Sequence, residues 1–364
     1  VREPGKRLSA NQLREMGIDS PLARDDVDLE DAVELLLQLG NTLEGLVGRD
    51  FGEVGSALLL RPEAELSPAE FDIDLRDFAN RVRVAIGLPL EATRALTDAE
   101  MQMVHFFRAM ADLIGEDEVI SLVRVMGSSA SRIARAAISM LRLQFETPIT
   151  DDSGRLADVL AGYFELIGYA LPEFLETNAT IMRSHLAHLI ATEQMWSVDR
   201  SRSATLEPKV IGFADLVGFT AFTERSDAQQ FMATMIGFEE AVQSAIVDND
   251  GTLVKLIGDE VMFAADSARS ALRVALALSA VGRSGGLEGM RVGLSGGEVI
   301  TSGGDYFGTV VNIAARIVTL AFADAIVVTE DVATGLEGVV AVESLGMHDL
   351  RGISRPVELF RVRP

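Results

Sequence analysis

The hydrophobic pattern of this chain changes period once, near residue 205, and that change constrains the fold more than any other feature. Before it, apolar residues recur at helical spacing in DAVELLLQLGNTLEGLV, FANRVRVAIGL, MQMVHFFRAMADLI and SSASRIARAAISMLRLQF, and no alternating strand pattern competes with them. Thr97-Asp98-Ala99-Glu100 has the form of a capping box ahead of Met101. Thr147-Pro148 is expected to end one long helix, and Leu171-Pro172 to break or kink another. Residues 192–208, TEQMWSVDRSRSATLEP, lose the periodicity and close on a proline, which marks a linker. The expected organisation is an all-α domain over residues 1–191, a linker over 192–208, and a second domain over 209–364.

A length of 364 residues suits two domains. The chain has no cysteine, which excludes disulfides, a thiolate nucleophile and cysteine-ligated metal. Its 55 acidic against 32 basic side chains leave a net charge of −23, a poor match for nucleic acid or an anionic membrane surface. No apolar run approaches the ~20 residues of a membrane span. The opening VREPGKRLSAN lacks the apolar stretch of a signal peptide. The expectation is a soluble, cytoplasmic protein.

The second half alternates strands and helices. Residues 209–213 read as a strand, and 227–247 as a helix capped by Ser226. After the turn signal Asn249-Asp250-Gly251, two strands flank Gly258-Asp259-Glu260, a hairpin whose tip presents Asp259. A helix (267–281), a strand (290–296), a glycine-rich stretch, a helix (310–320) and a strand (325–329) follow. Two late strands near 339–344 and 357–362 complete an α+β sandwich.

Three short elements carry candidate chemistry. In Phe213-Ala214-Asp215-Leu216-Val217-Gly218-Phe219-Thr220, Asp215 falls where a strand ends, placed to hold a divalent cation against a phosphate. Alone, such an aspartate is an ordinary turn former. In Lys255-Leu256-Ile257-Gly258-Asp259, the aspartate offers a second carboxylate. Lys255 is one of only three lysines, held among apolar neighbours in what reads as a central strand. In the third, running from Gly303-Gly304-Asp305 to Arg316, Asn312 and Arg316 stand four apart and so share a helix face. An amide and a guanidinium there suit a ribose and a phosphate, and Asp305 in the preceding loop suits an exocyclic amine.

Taken in order, Phe-x-Asp-x-x-Gly-Phe-Thr, Lys-x-x-Gly-Asp and Asp-x-x-Gly-x-x-x-Asn-x-x-x-Arg resemble the catalytic domain of class III nucleotidyl cyclases. The resemblance implies a ferredoxin-like, palm-type α+β domain that turns ATP into 3′,5′-cyclic AMP and pyrophosphate. It implies two Mg²⁺ or Mn²⁺ per active site on Asp215 and Asp259, and adenine reading by Lys255 and Asp305. Asn312 would orient the ribose and Arg316 would stabilise the α-phosphate. A further basic residue on the β- and γ-phosphates would come from Arg351 or Arg355. The family's head-to-tail pairing implies a homodimer with two shared sites.

The helical half resembles, in general character, the regulatory domain of mycobacterial pH-sensing adenylyl cyclases, which implies autoinhibition and a pH-dependent switch. His185 and His188, one turn apart before the linker, are the candidate titrating pair. His105, within MQMVHFF, reads as a core histidine. Two rivals stand beside this reading. Ile257-Gly258-Asp259-Glu260 resembles a diguanylate cyclase signature with its first glycine replaced, and a catalytically inactive cyclase-like interaction module would share the fold.

Overall fold

A computed structural model describes residues 7–38, 42–49, 51, 65–66, 73–90, 96–150, 155–192, 206–283 and 289–363. The chain divides into two compact units, Val1–Ser197 and Val198–Pro364.

The first unit is helical. It contains α1 (Ala10–Glu15), α2 (Asp26–Gln38), α3 (Leu43–Leu46), α4 (Ile73–Ala85), α5 (Asp98–Ile114), α6 (Glu116–Thr150) and α7 (Leu156–Thr192). Two-residue strands β1 (Glu65–Leu66) and β2 (Leu96–Thr97) pair antiparallel. The expected capping box exists: Thr97 accepts from the Glu100 N–H at 3.1 Å, and Glu100 accepts from the Thr97 N–H at 2.9 Å.

Two cores form. Phe78 and Val82 of α4, Val104 and Phe107 of α5, and Val119 and Val123 of α6 make one. The first turns of α7 contribute Leu156, Leu160 and Phe164 to the other, against Leu13, Leu29 and Leu36. Asp28 fastens that end of α7. Its fully buried carboxylate accepts from the N–H groups of Leu156 (2.9 Å), Ala157 (3.1 Å) and Arg24 (3.0 Å). Two free N–H groups at the α7 N-terminus thereby find a partner 128 and 129 residues away. Hydrogen bonds to a charged group contribute about 1.5–3 kcal/mol each. Burial works against the Asp28 carboxylate, yet these donors and Arg155 hold its pKa below the ordinary value.

Pro148 does not end its helix, and Pro172 does not break its own. Helix α6 runs through Pro148 to Thr150, and α7 carries Pro172 in its interior without ending there. His105 is exposed, not a core residue.

The second unit is an eight-stranded sheet flanked by helices, an α+β fold. Its strands are β3 (Leu206–Leu216), β4 (Gly251–Ile257), β5 (Glu260–Ala265), β6 (Met290–Ser302), β7 (Asp305–Phe307), β8 (Ile326–Thr329), β9 (Ala341–His348) and β10 (Val357–Arg363). They lie in the order β4-β5-β3-β6-β8-β10-β9, with β7 hairpinned onto β6. Strand β3 begins three residues before the expected boundary, so the end of segment 192–208 is strand; residues 193–205 lie outside the described residues.

The helices are α8 (Phe219–Arg225), α9 (Ala228–Val247), α10 (Ala268–Gly282), α11 (Thr309–Ile317) and α12 (Glu330–Gly335). The side chain of Asp227, not Ser226, caps α9 by accepting from the Gln230 N–H at 2.8 Å. Strand alternation separates the two faces of the sheet. Val210, Ala214, Val261 and Phe263 join Phe238, Val242 and Leu278 of α9 and α10 in the larger core. Ile211, Met262 and Ala264 face the other way, toward Val310 and Ala314 of α11. That helix lies close on β6 because residue 293 is glycine: a Cβ there would stand 2.6 Å from the Val318 nitrogen and 2.9 Å from the Ala314 carbonyl oxygen.

Candidate active site

The α11 face of the sheet carries the predicted residues in two groups. In the first, Asp215 occupies the last turn of β3 and pairs in register with Glu260 of β5 and Arg291 of β6. Arg291 grips Asp215 Oδ2 through Nε (2.7 Å) and Nη2 (2.5 Å). Asp259 sits in the turn between β4 and β5, where Gly258 has φ +63° and supplies the left-handed backbone the turn requires. Burial, then the negative charges of Asp215 and Glu260, push the Asp259 carboxyl up to about 6. Glu260 is likewise raised, by burial and by Asp215, with Arg291 opposing.

This donor set fits divalent cations. Asp215 and Asp259 are two carboxylates close enough for the charge of one to raise the other, and hard cations such as Mg²⁺ take oxygen ligands, commonly one or two carboxylates plus substrate oxygens.

In the second group, Lys255 and Asp305 form an ion pair, and the other Asp305 oxygen accepts from the Tyr306 N–H at 2.9 Å. The pair lies in a cavity of about 240 Å³ walled by Phe213, Met262, Tyr306, Phe307 and Val311. That volume is enough to admit a nucleobase. Flat apolar walls with one donor and one acceptor on fixed positions suit a heterocycle with a complementary edge.

Two premises of the sequence reading change here. Strand β4 is the edge of the sheet, not its centre, and the Lys255 side chain is 44% exposed. Its position is explained by the cavity and by Asp305, not by burial. Asp305 opens β7 instead of lying in a loop.

Asn312 and Arg316 project from the exposed side of α11, and among the described residues neither side chain has a hydrogen-bond or ion-pair partner. Arg351 and Arg355 are exposed in the connection between β9 and β10, and neither lines the cavity. His185 and His188 are exposed on α7 of the other unit.

Sequence reasoning missed Arg291 and Glu260. Each had a faint signal: Arg291 interrupts the apolar start of a strand, and Glu260 directly follows a candidate ligand.

Residues 203–362 match the family model described as the adenylate and guanylate cyclase catalytic domain. An uncharacterised protein of Mycobacterium tuberculosis is 30% identical over 368 residues, covering 98% of this chain and 94% of its own. An adenylate cyclase of Streptomyces griseus is 33% identical over 240 residues, 65% of this chain and 58% of its own. A pH-sensitive adenylate cyclase of Mycobacterium tuberculosis is 26% identical over 259 residues, 69% of this chain and 64% of its own. No helix among the described residues is long and apolar enough to cross a membrane.

Proposed function

The chain belongs to the class III adenylate and guanylate cyclase family, and we propose that within it the protein is an adenylyl cyclase. The observation that carries this reading is the Lys255–Asp305 pair inside a base-sized cavity. Adenine presents an acceptor at N1 and a donor at N6, which lysine and aspartate complement. Guanine presents an N–H and a carbonyl at those places and would leave both protein groups unpaired.

Lys255 and Asp305 satisfy each other before substrate arrives, so adenine exchanges one ion pair for two directional hydrogen bonds. Asp215 and Asp259 would hold two divalent cations, displacing Arg291 from its hold on Asp215. Bound there, the cations supply acidification of the ribose 3′-hydroxyl and neutralisation of the phosphates. Asn312 orients the ribose, and Arg316 takes up charge growing on the α-phosphate as the 3′-oxygen attacks and pyrophosphate leaves. Arg351 and Arg355 remain the candidates from the β9–β10 connection for the outer phosphates.

In this reading the site is shared. One protomer gives Asp215 and Asp259, and its partner gives Lys255, Asp305, Asn312 and Arg316. Support comes from Asn312 and Arg316, whose exposed side chains lack hydrogen-bond or ion-pair partners among the described residues. Chains carrying Asp215→Ala and chains carrying Asn312→Ala are each expected to be inactive. Mixed, they should recover about a quarter of wild-type turnover, since random pairing makes half the dimers mixed, each with one intact site of two. A mixture as inactive as its components would rule out the shared site.

The helical unit is read as an autoinhibitory, pH-dependent regulator, with His185 and His188 as its candidate regulatory residues. The similarity to a pH-sensitive cyclase reaches beyond the catalytic unit and supports this: it spans 69% of the chain, while the catalytic family model takes in only residues 203–362.

A further inference from the structure

Glu260 has no task in the reaction as derived above. Its register partners are Asp215 on β3 and Ile257 on β4, so Ile257, Glu260, Asp215 and Arg291 form one row across four strands. Like charges directly opposite each other on neighbouring strands destabilise a sheet. Arg291 is engaged by Asp215, and among the described residues the Glu260 carboxylate has no hydrogen-bond or ion-pair partner. Counting Asp215, Asp259 and Glu260 against Arg291 leaves three negative charges and one positive, a local excess of two.

A half-buried acid beside two others, with the nearby Arg291 guanidinium already engaged by Asp215, is stabilised by any further positive charge that arrives there. Yet among the described residues no three acidic or imidazole side chains converge as a ligand set. Glu260 therefore stands opposite Asp215 and next to Asp259 without completing a three-residue ligand set.

We propose that Glu260 is a positioning residue for the divalent cations: it acts on their hydration shell and their charge from beside Asp215, and strengthens their binding before the nucleotide arrives. This rests on the reading of Asp215 and Asp259 as the metal ligands. Groups that orient a metal's ligands and waters typically contribute about 10–100-fold to affinity.

The test is a titration of the full-length protein with Mn²⁺ alone at pH 8, following the spectroscopic signal of free Mn²⁺, together with the ATP:GTP preference of each variant. Glu260→Gln should weaken Mn²⁺ binding about tenfold with the purine preference unmoved, and Glu260→Asp, which keeps the charge, should restore most of the affinity. Two results would overturn the proposal. One is undiminished Mn²⁺ binding by Glu260→Gln when Asp215→Asn and Asp259→Asn both bind more weakly. The other is unchanged Mn²⁺ binding with an altered purine preference, which would assign Glu260 to the base cavity it also lines. If neither aspartate variant binds Mn²⁺ more weakly, the metal-ligand reading itself fails and takes this proposal with it.

Discussion

Asp259→Asn is expected to lower ATP turnover by about a thousandfold, because it removes half of the carboxylate pair that positions the cations. Its effect on stability should have the opposite sign. The Asp259 carboxyl is pushed up to about 6 in the folded chain, so between its ordinary value and 6 the native state holds a proton that the unfolded chain releases. Stability without metal therefore declines as pH rises through that window, and above it the buried charge is a standing cost. Thermal unfolding in a chelator should show Asp259→Asn more stable than wild type at pH 8, with the difference gone near pH 4. Loss of turnover without that gain would place the effect of Asp259 elsewhere than in crowded charge.

The same titration predicts an acid limb in wild-type activity at or below about 6 that moves to lower pH as the divalent cation concentration is raised, since protons and cations compete for Asp259. Replacing His185 and His188 together should keep this limb and alter the profile only through the helical unit. A profile unchanged at every pH would remove the two histidines from regulation.

Lys255→Glu should lower kcat/KM for ATP by about a hundredfold and move the ATP:GTP ratio toward GTP. The substitution turns a donor aimed at adenine N1 into an acceptor, and it sets two carboxylates against each other where an ion pair stood. Like charges at that contact repel, and the variant's cavity would favour the N–H groups of guanine. Equal losses for ATP and GTP would show that Lys255 supports the fold or the dimer and does not read the base.

What could be read from sequence, and what could not, follows from locality. Lys255 and Asp259 lie within one short segment where a strand meets a glycine turn, so their nearness is local, whereas Asp215 joins them only through the register of β3 and β5 and was grouped with them through the family resemblance. The sandwich of strands and helices followed from the change in hydrophobic period. Arg291 escaped notice because its partner Asp215 is 76 residues away, and only the cross-strand register of β3 and β6 brings them together. Glu260 escaped because only the register of β5 against β3 sets it opposite Asp215.

His105 misled because chain neighbours were taken for spatial neighbours. Met101, Val104 and Phe107 turn inward on α5, while residue 105, a further 100° around the helix from 104, turns to solvent. Pro148 misled because a local penalty was given more weight than a long helix. Pro172 costs one backbone hydrogen bond and some steric strain, and a helix of 37 residues continues past it. The buried anchor at Asp28 had no sequence signal, since its donors lie 128 and 129 residues downstream.

The central claim is that the carboxylate pair of one protomer and the adenine-reading pair of its partner together cyclise ATP. Its most direct test is to incubate the full-length protein with ATP or with GTP and Mn²⁺ and to identify the products by mass. The account predicts cyclic AMP and pyrophosphate from ATP, with far less product from GTP. A cyclic dinucleotide, a preference for GTP, or no turnover of ATP at any pH would contradict it.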